Sequence, residues 1–226
     1  MKYEGFIITL FELLAAFAGF YHLSKNKNSR LRPLVYFLVI TVFVEAIGSY
    51  RNFYGKLEFL DILIGTKFEF NAWLYNAYLI LSLFFYQKFY LSIVENDRNK
   101  KIIKTLIILS VFVVGFDLYI SGASYFKRNL EISFIWTTFT VFVCVVIYFY
   151  EVLLSDKVLK FYNSALFYIS IGLLIWWLVL PPMIVYMPLY KTTNPGLVNM
   201  RTYIFVASNI ILYGCYTFGF LWSKEE

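Results

Sequence analysis

The sequence predicts an all-α, polytopic membrane protein, a bundle of seven transmembrane helices with the N-terminus outside and the C-terminus in the cytoplasm. Three observations lead there. Hydrophobic residues make up 61% of the chain and charged residues 15%, whereas a soluble domain carries about 25% charge. Apolar runs long enough to cross a ~30 Å hydrocarbon core recur along the chain, separated by short polar connections. From Asn163 to Tyr190 no charged side chain occurs at all. At 1.5 Å per residue that last run exceeds what one straight crossing needs, so it must tilt or break.

The first span covers residues 5–23 and carries Glu12 inside it, with Gly19 and several alanines that permit close helix contact. No basic leader or small-residue cleavage site precedes it, so it is expected to be retained. The basic connection SKNKNSRLR follows. The second span, 33–50, begins with Pro33 in its first turn, where a missing amide costs little, and holds Glu45. Residues 51–70 are too charged to span and too apolar for an open loop, so an interfacial amphipathic helix over about 54–66 is expected.

The third span, 70–94, has Asn71 and Asn76 near its start and Gln87 and Lys88 near its end, and the ENDRNKK loop follows it. Asp117 interrupts the otherwise aliphatic fourth span, 102–120. The fifth, 132–153, places Thr137, Thr138 and Thr140 early and Glu151 at its end. The sixth, 164–189, contains Pro181, Pro182 and Pro188. Two adjacent prolines remove backbone donors and crowd the preceding turn, so a kinked or unwound outer end is expected, with Gly172, Pro181 and Pro182 as hinge positions. TTNPG reads as a turn, and the seventh span, 202–222, holds Asn209.

Orientation follows from the basic residues. Lys25, Lys27, Arg30, Arg32, Lys88, Arg98, Lys100, Lys101, Lys104, Lys157, Lys160 and Lys224 fall on one side, while the other side mixes its cations with Glu58, Asp61 and Glu131. The positive-inside rule makes the first side cytoplasmic. Spans 1–3 and 5–7 share an orientation, and Tyr75-Asn76 parallels Ser208-Asn209, which allows a three-plus-one-plus-three repeat of the kind found in small transporters.

Burying a carboxylate in lipid costs a few kcal/mol even on lenient scales, so intramembrane polar groups face the bundle interior, a wet cavity or one another. With this topology Glu12, Glu45, Asp117, Asn71, Asn76 and Asn209 share the outer half of the membrane. They form a candidate outward-facing pocket, rich in acceptors, for a cation, an amine or a polyhydroxylated molecule. The competing structural reading pairs Glu45 and Asp117 with Arg51, Lys67, Lys127 or Arg201 and uses the asparagines to join helices. His22, alone near the cytoplasmic end of the first span, reads as structural.

Other functions are disfavoured. The net charge of +6 lies in topology signals and gives no reason to expect nucleic acid. Cys144 and Cys215 sit in apolar spans away from ligand spacing, so neither a disulfide nor a metal site is expected. No zincin, nucleophile-elbow or phosphate-loop pattern occurs, and no enzymatic activity or cofactor is expected. The last span lacks a lysine for a retinal Schiff base.

The segments NAWLYNAYLILSLFFY (71–86), YFYEVLL (148–154), ALFYISIGLLIWW (165–177) and NIILYGCYTFGFLW (209–222) resemble those of small uncharacterised bacterial seven-span proteins. Those proteins accompany, or are similar to, the membrane input modules of signalling proteins. The resemblance implies a sensor-like or accessory protein of the cytoplasmic membrane that passes its signal to a separate membrane or cytoplasmic partner. A small-solute or cation transporter is the alternative, and a structural subunit of a membrane complex a further one.

Overall fold

The computed structural model describes residues 4–27, 29–185 and 195–223. It is all-α, with α1 Glu4–Lys25, α2 Arg32–Gly48, α3 Glu58–Asp61, α4 Ala72–Ile93, α5 Asp97–Ser121, α6 Glu131–Leu153, α7 Ala165–Val185 and α8 Pro195–Trp222. Five of the helical segments are long and apolar enough to cross a membrane: 5–25, 32–53, 97–126, 131–153 and 198–222. They mark the chain as a membrane protein. The apolar run within α7 is shorter, and α4, diluted by Asn76, Gln87 and Lys88, stands outside that set.

Large apolar side chains point outward along the spanning helices, including Phe17, Phe43, Phe112 and Tyr119. In water such surface would drive aggregation, whereas in a bilayer it faces a solvent as apolar as itself. The interior is correspondingly rich in small and polar groups. Ala15, Ala16, Ala18, Ser110, Ser133, Thr137, Thr140 and Ser170 are all buried.

Helix ends depart from the sequence expectation in ways local chemistry explains. α5 begins at Asp97, so most of the expected ENDRNKK loop is helical. Asn96 caps it by accepting from the amides of Arg98 and Asn99 at 2.9 and 3.4 Å, and Asp97 complements the helix dipole in the first turn. The same helix ends on Gly122, whose φ of +45° suits glycine. α8 starts at Pro195, seven residues ahead of the expected span, with proline in its first turn. Thr192–Asn194 of the expected turn and Pro188 lie outside the described residues.

The interfacial helix expected over 54–66 is reduced to the short α3. Gly55 and Gly65 adopt positive φ on either side of it. Their amides donate to Asp61 Oδ1 at 2.8 Å and to Glu69 Oε2 at 3.1 Å, so carboxylates fasten the turns that flank the short helix. Unwinding at the diproline is also corrected, because α7 runs through Pro181 and Pro182 to Val185. Proline φ is itself helical, and lipid offers no water to reward opening the neighbouring hydrogen bonds.

Packing divides the chain into two compact units. One comprises residues up to Val39 together with those from Val145 on; the other comprises Ile40–Cys144.

Candidate functional site

In the first unit α8 packs against both α1 and α7. Two glycines set the approach to α7. A Cβ on Gly172 would lie 2.8 Å from Cys215 Cβ and 3.2 Å from the Leu212 carbonyl, and one on Gly219 would lie 2.9 Å from the Ala165 carbonyl. These contacts pair 172 with 212–215 and 219 with 165, so α7 and α8 run antiparallel. Trp176 Nε1 then meets Asn209 and donates to its Oδ1 at 3.2 Å, while Asn209 Nδ2 donates to Phe205 O at 2.8 Å.

α1 and α8 run parallel. Their C-terminal ends are joined at His22, whose Nδ1 donates to Phe220 O at 3.1 Å; the carbonyl can only accept, which fixes the proton on that nitrogen. Ser29 Oγ lies 3.4 Å from Nε2 and accepts from the Leu31 amide at 3.1 Å. The buried histidine thus ties the α1–α2 connection to the end of α8. Stepping back from this joint at 1.5 Å per residue in both helices brings Glu12 to the level of Asn209. Glu12 is 2% exposed and Asn209 5%. A buried carboxylate, an amide and an indole N–H are therefore gathered at one depth of a three-helix cluster, beside Ser208, also buried.

In the second unit the polar residues act as fasteners. Thr41 and Tyr78 hydroxyls meet at 2.6 Å, Tyr75 OH donates to Glu45 Oε2 at 3.1 Å, and Asn71 Nδ2 donates to Gly48 O at 2.9 Å, so α2 and α4 are joined at successive turns. Asn76 spends its whole side chain on the start of α6. Its amide donates to the Tyr125 and Arg128 carbonyls, both at 2.8 Å, and its Oδ1 accepts from the Leu130 amide at 3.0 Å. Asp117 Oδ2 accepts from the Ser133 amide at 2.7 Å. Leu130 and Ser133 carry amides that an α-helix N-terminus leaves without intrahelical partners, so α6 is capped by side chains from α4 and α5. Deeper in this unit Ser110 Oγ accepts from Gln87 Nε2 at 2.7 Å and Trp136 Nε1 at 2.8 Å and donates to Leu106 O at 2.8 Å.

The six expected pocket residues therefore divide. Glu12 and Asn209 belong to the first unit, and Glu45, Asn71, Asn76 and Asp117 to the second. Within the second, Glu45 and Asn71 share the α2–α4 seam, while Asn76 and Asp117 share the α6 N-terminus. Two of the four cations offered as their partners lie over rings: Arg51 is 4.9 Å over Phe70, and Lys67 is 5.2 and 5.1 Å over Phe68 and Phe126. Gly172, expected as a hinge position, is a close-contact position against α8.

Sequence reasoning missed Trp176, Tyr75 and the Gln87–Ser110–Trp136 cluster. Ser110 and Asp117, seven residues apart on one face of an aliphatic helix, carried the available signal for the last of these. Among the described residues no cluster of His, Cys, Asp and Glu could hold a metal ion. No protein family, curated protein or solved structure matches the chain.

Proposed function

We propose that this is a seven-span, non-enzymatic protein of the cytoplasmic membrane, oriented N-out and C-in. It binds a small cationic, amine or polyhydroxylated ligand at the level of Glu12 and Asn209 and acts through a protein partner. The span count adds α4 and α7 to the five helices of sufficient length and hydropathy. It is supported by helix-to-helix direction: α2 and α4, α4 and α5, and α7 and α8 pair antiparallel through the bonds and contacts given above, while α1 and α8 are parallel. First and last helices crossing in the same sense need an odd number of crossings.

The observation that carries the ligand reading is the shared depth of the buried Glu12 and Asn209 on the adjacent helices α1 and α8. A carboxylate kept inside a membrane protein is costly, and such residues mark ligand, ion or proton sites more often than plain packing. The resemblance to sensor-type membrane proteins supports the partner.

The test uses full-length protein purified in mild detergent from the native membrane, with mass spectrometry of stoichiometric companions. Thermal shifts are then recorded with sodium ion, a primary amine and a polyol. The expected results are a dedicated companion protein and a stabilising shift that Glu12→Gln abolishes. At one hundred times its Kd a ligand adds about 2.7 kcal/mol, well within range of a melting assay. A solitary protein whose melting is insensitive to all three probes overturns the proposal, and solute flux in reconstituted vesicles replaces it with transport.

A further inference from the structure

The first unit carries a second feature, on the other end of α7. Phe149, Val152 and Leu153 at the C-terminal end of α6, Val158 and Phe161 in the connection, and Phe167 in the first turn of α7 enclose a cleft of about 300 Å³. Its wall is built from apolar side chains only. The aromatic part is preformed: Phe167 stands 5.7 Å from Phe149 and 4.6 Å from Phe161, ring centre to ring centre.

We infer that this cleft seats one acyl chain of an anionic phospholipid. Its volume corresponds to about ten waters at ~30 Å³ each, but an apolar wall gives water nothing to bond, so hydrocarbon is the stable filling. At the small end of ligand pockets, ~300–1,000 Å³, it suits a slim flexible chain. Continuity with the lipid-facing surface gives the chain its way in, since Tyr150, Leu153, Leu154 and Leu159 are exposed beside it.

Depth and charge select the headgroup. The cleft lies where two apolar helices end, the level at which acyl chains give way to phosphates. The connection between them contributes Lys160, which is exposed next to the wall residue Phe161. Basic residues at this level attract anionic headgroups by about 1 kcal/mol each, or about fivefold. Phe161 and Phe167 hold the chain while Lys160 holds the phosphate. This site is independent of Glu12 and Asn209.

Native mass spectrometry of the detergent-purified full chain tests it, with phosphatidylglycerol and phosphatidylcholine of identical acyl chains offered in turn. The wild type is expected to retain one phosphatidylglycerol about fivefold or more over phosphatidylcholine. Val158→Trp, which fills the cleft, should remove that lipid, and Lys160→Gln should cut the headgroup preference about fivefold. Circular dichroism and gel filtration establish that each variant is folded. Should Val158→Trp misfold, the Lys160→Gln ratio decides alone. Equal retention of the two lipids, retention of neither, retention unchanged by a folded Val158→Trp protein, or a protein subunit displaced by that substitution each overturns the inference.

Discussion

Replacing Gly172 by alanine separates two roles that this residue could have in α7. Were it a hinge, the methyl group would stabilise the helix, because alanine loses less backbone entropy than glycine and is better by about 0.8–1 kcal/mol in a helix interior. The structure places the added Cβ 2.8 Å from Cys215 Cβ, 3.2 Å from the Leu212 carbonyl and 3.4 Å from Leu212 Cα. Two of those atoms are backbone and the third is fixed to it, so no side-chain rotation relieves the contact. Forcing apart a well-packed pair costs about 1–3 kcal/mol. The propensity gain offsets part of that, leaving a net loss of about 1 kcal/mol and a melting temperature lower by about 2–4 °C on the scale of soluble domains of this size. Gly115 supplies the control. It lies in α5 with no atom within 4 Å of an added Cβ, so Gly115→Ala should raise the melting temperature by a similar amount. Thermal unfolding in detergent, followed by helicity, reads both. Cys215→Ala should not rescue Gly172→Ala, since the offending Cβ remains, whereas Cys215→Gly should in part. A rise in stability for Gly172→Ala would refute the close-contact assignment and restore the hinge.

The two buried amides of the second unit give opposite expectations. Asn76→Leu strands two carbonyls and an amide that the asparagine satisfies, and at about 1–3 kcal/mol per buried orphan it should unfold or severely destabilise the protein; retained expression and melting would count against the capping role. Gln87→Met should be near neutral, because Gln87 Oε1 has no hydrogen-bond partner among the described residues and Ser110 keeps its bond from Trp136. Asp117→Asn should be tolerated if its oxygen turns to the Ser133 amide, whereas Asp117→Ala should cost about 1–3 kcal/mol; equal melting of the two variants would remove Asp117 from the α6 cap. Trp176→Phe should lower stability by about 1 kcal/mol through loss of its bond to Asn209, measured by the same unfolding assay.

The membrane class was legible because lipid imposes a composition that no local detail can hide: long uncharged runs with polar punctuation. Helix ends were less legible, and the errors share one cause. Hydropathy marks where a helix meets lipid, while caps mark where it stops. Asp97–Lys101 is hydrophilic and helical because Asn96 caps it, and Pro181–Pro182 sits in a helix because nothing in an apolar setting competes for the chain. Residues 54–66 failed as a helix for the reverse reason, since Gly55 and Gly65 turn the backbone and Asp61 and Glu69 reward the turns.

Candidate site residues were legible only as residue types. Depth along a span is readable from sequence, and it placed Glu12, Glu45, Asn71, Asn76, Asp117 and Asn209 in one half of the membrane. Azimuth is not readable, because a helix that meets both lipid and protein shows little amphipathic pattern when its buried face is filled with serine, threonine and alanine. Partners follow from azimuth. Asn76 turns toward three backbone groups of the α5–α6 connection and Asp117 toward one, which uses their polarity to hold a helix end in place. Glu12 lies mid-helix, and ten residues from the His22 joint it comes level with Asn209 on a parallel neighbour. A carboxylate that caps a helix has its cost explained by the amide it accepts from. That bond assigns Asp117 to the fold, whereas Glu12, buried in mid-helix at the level of Asn209, is the carboxylate on which the proposed ligand reading rests.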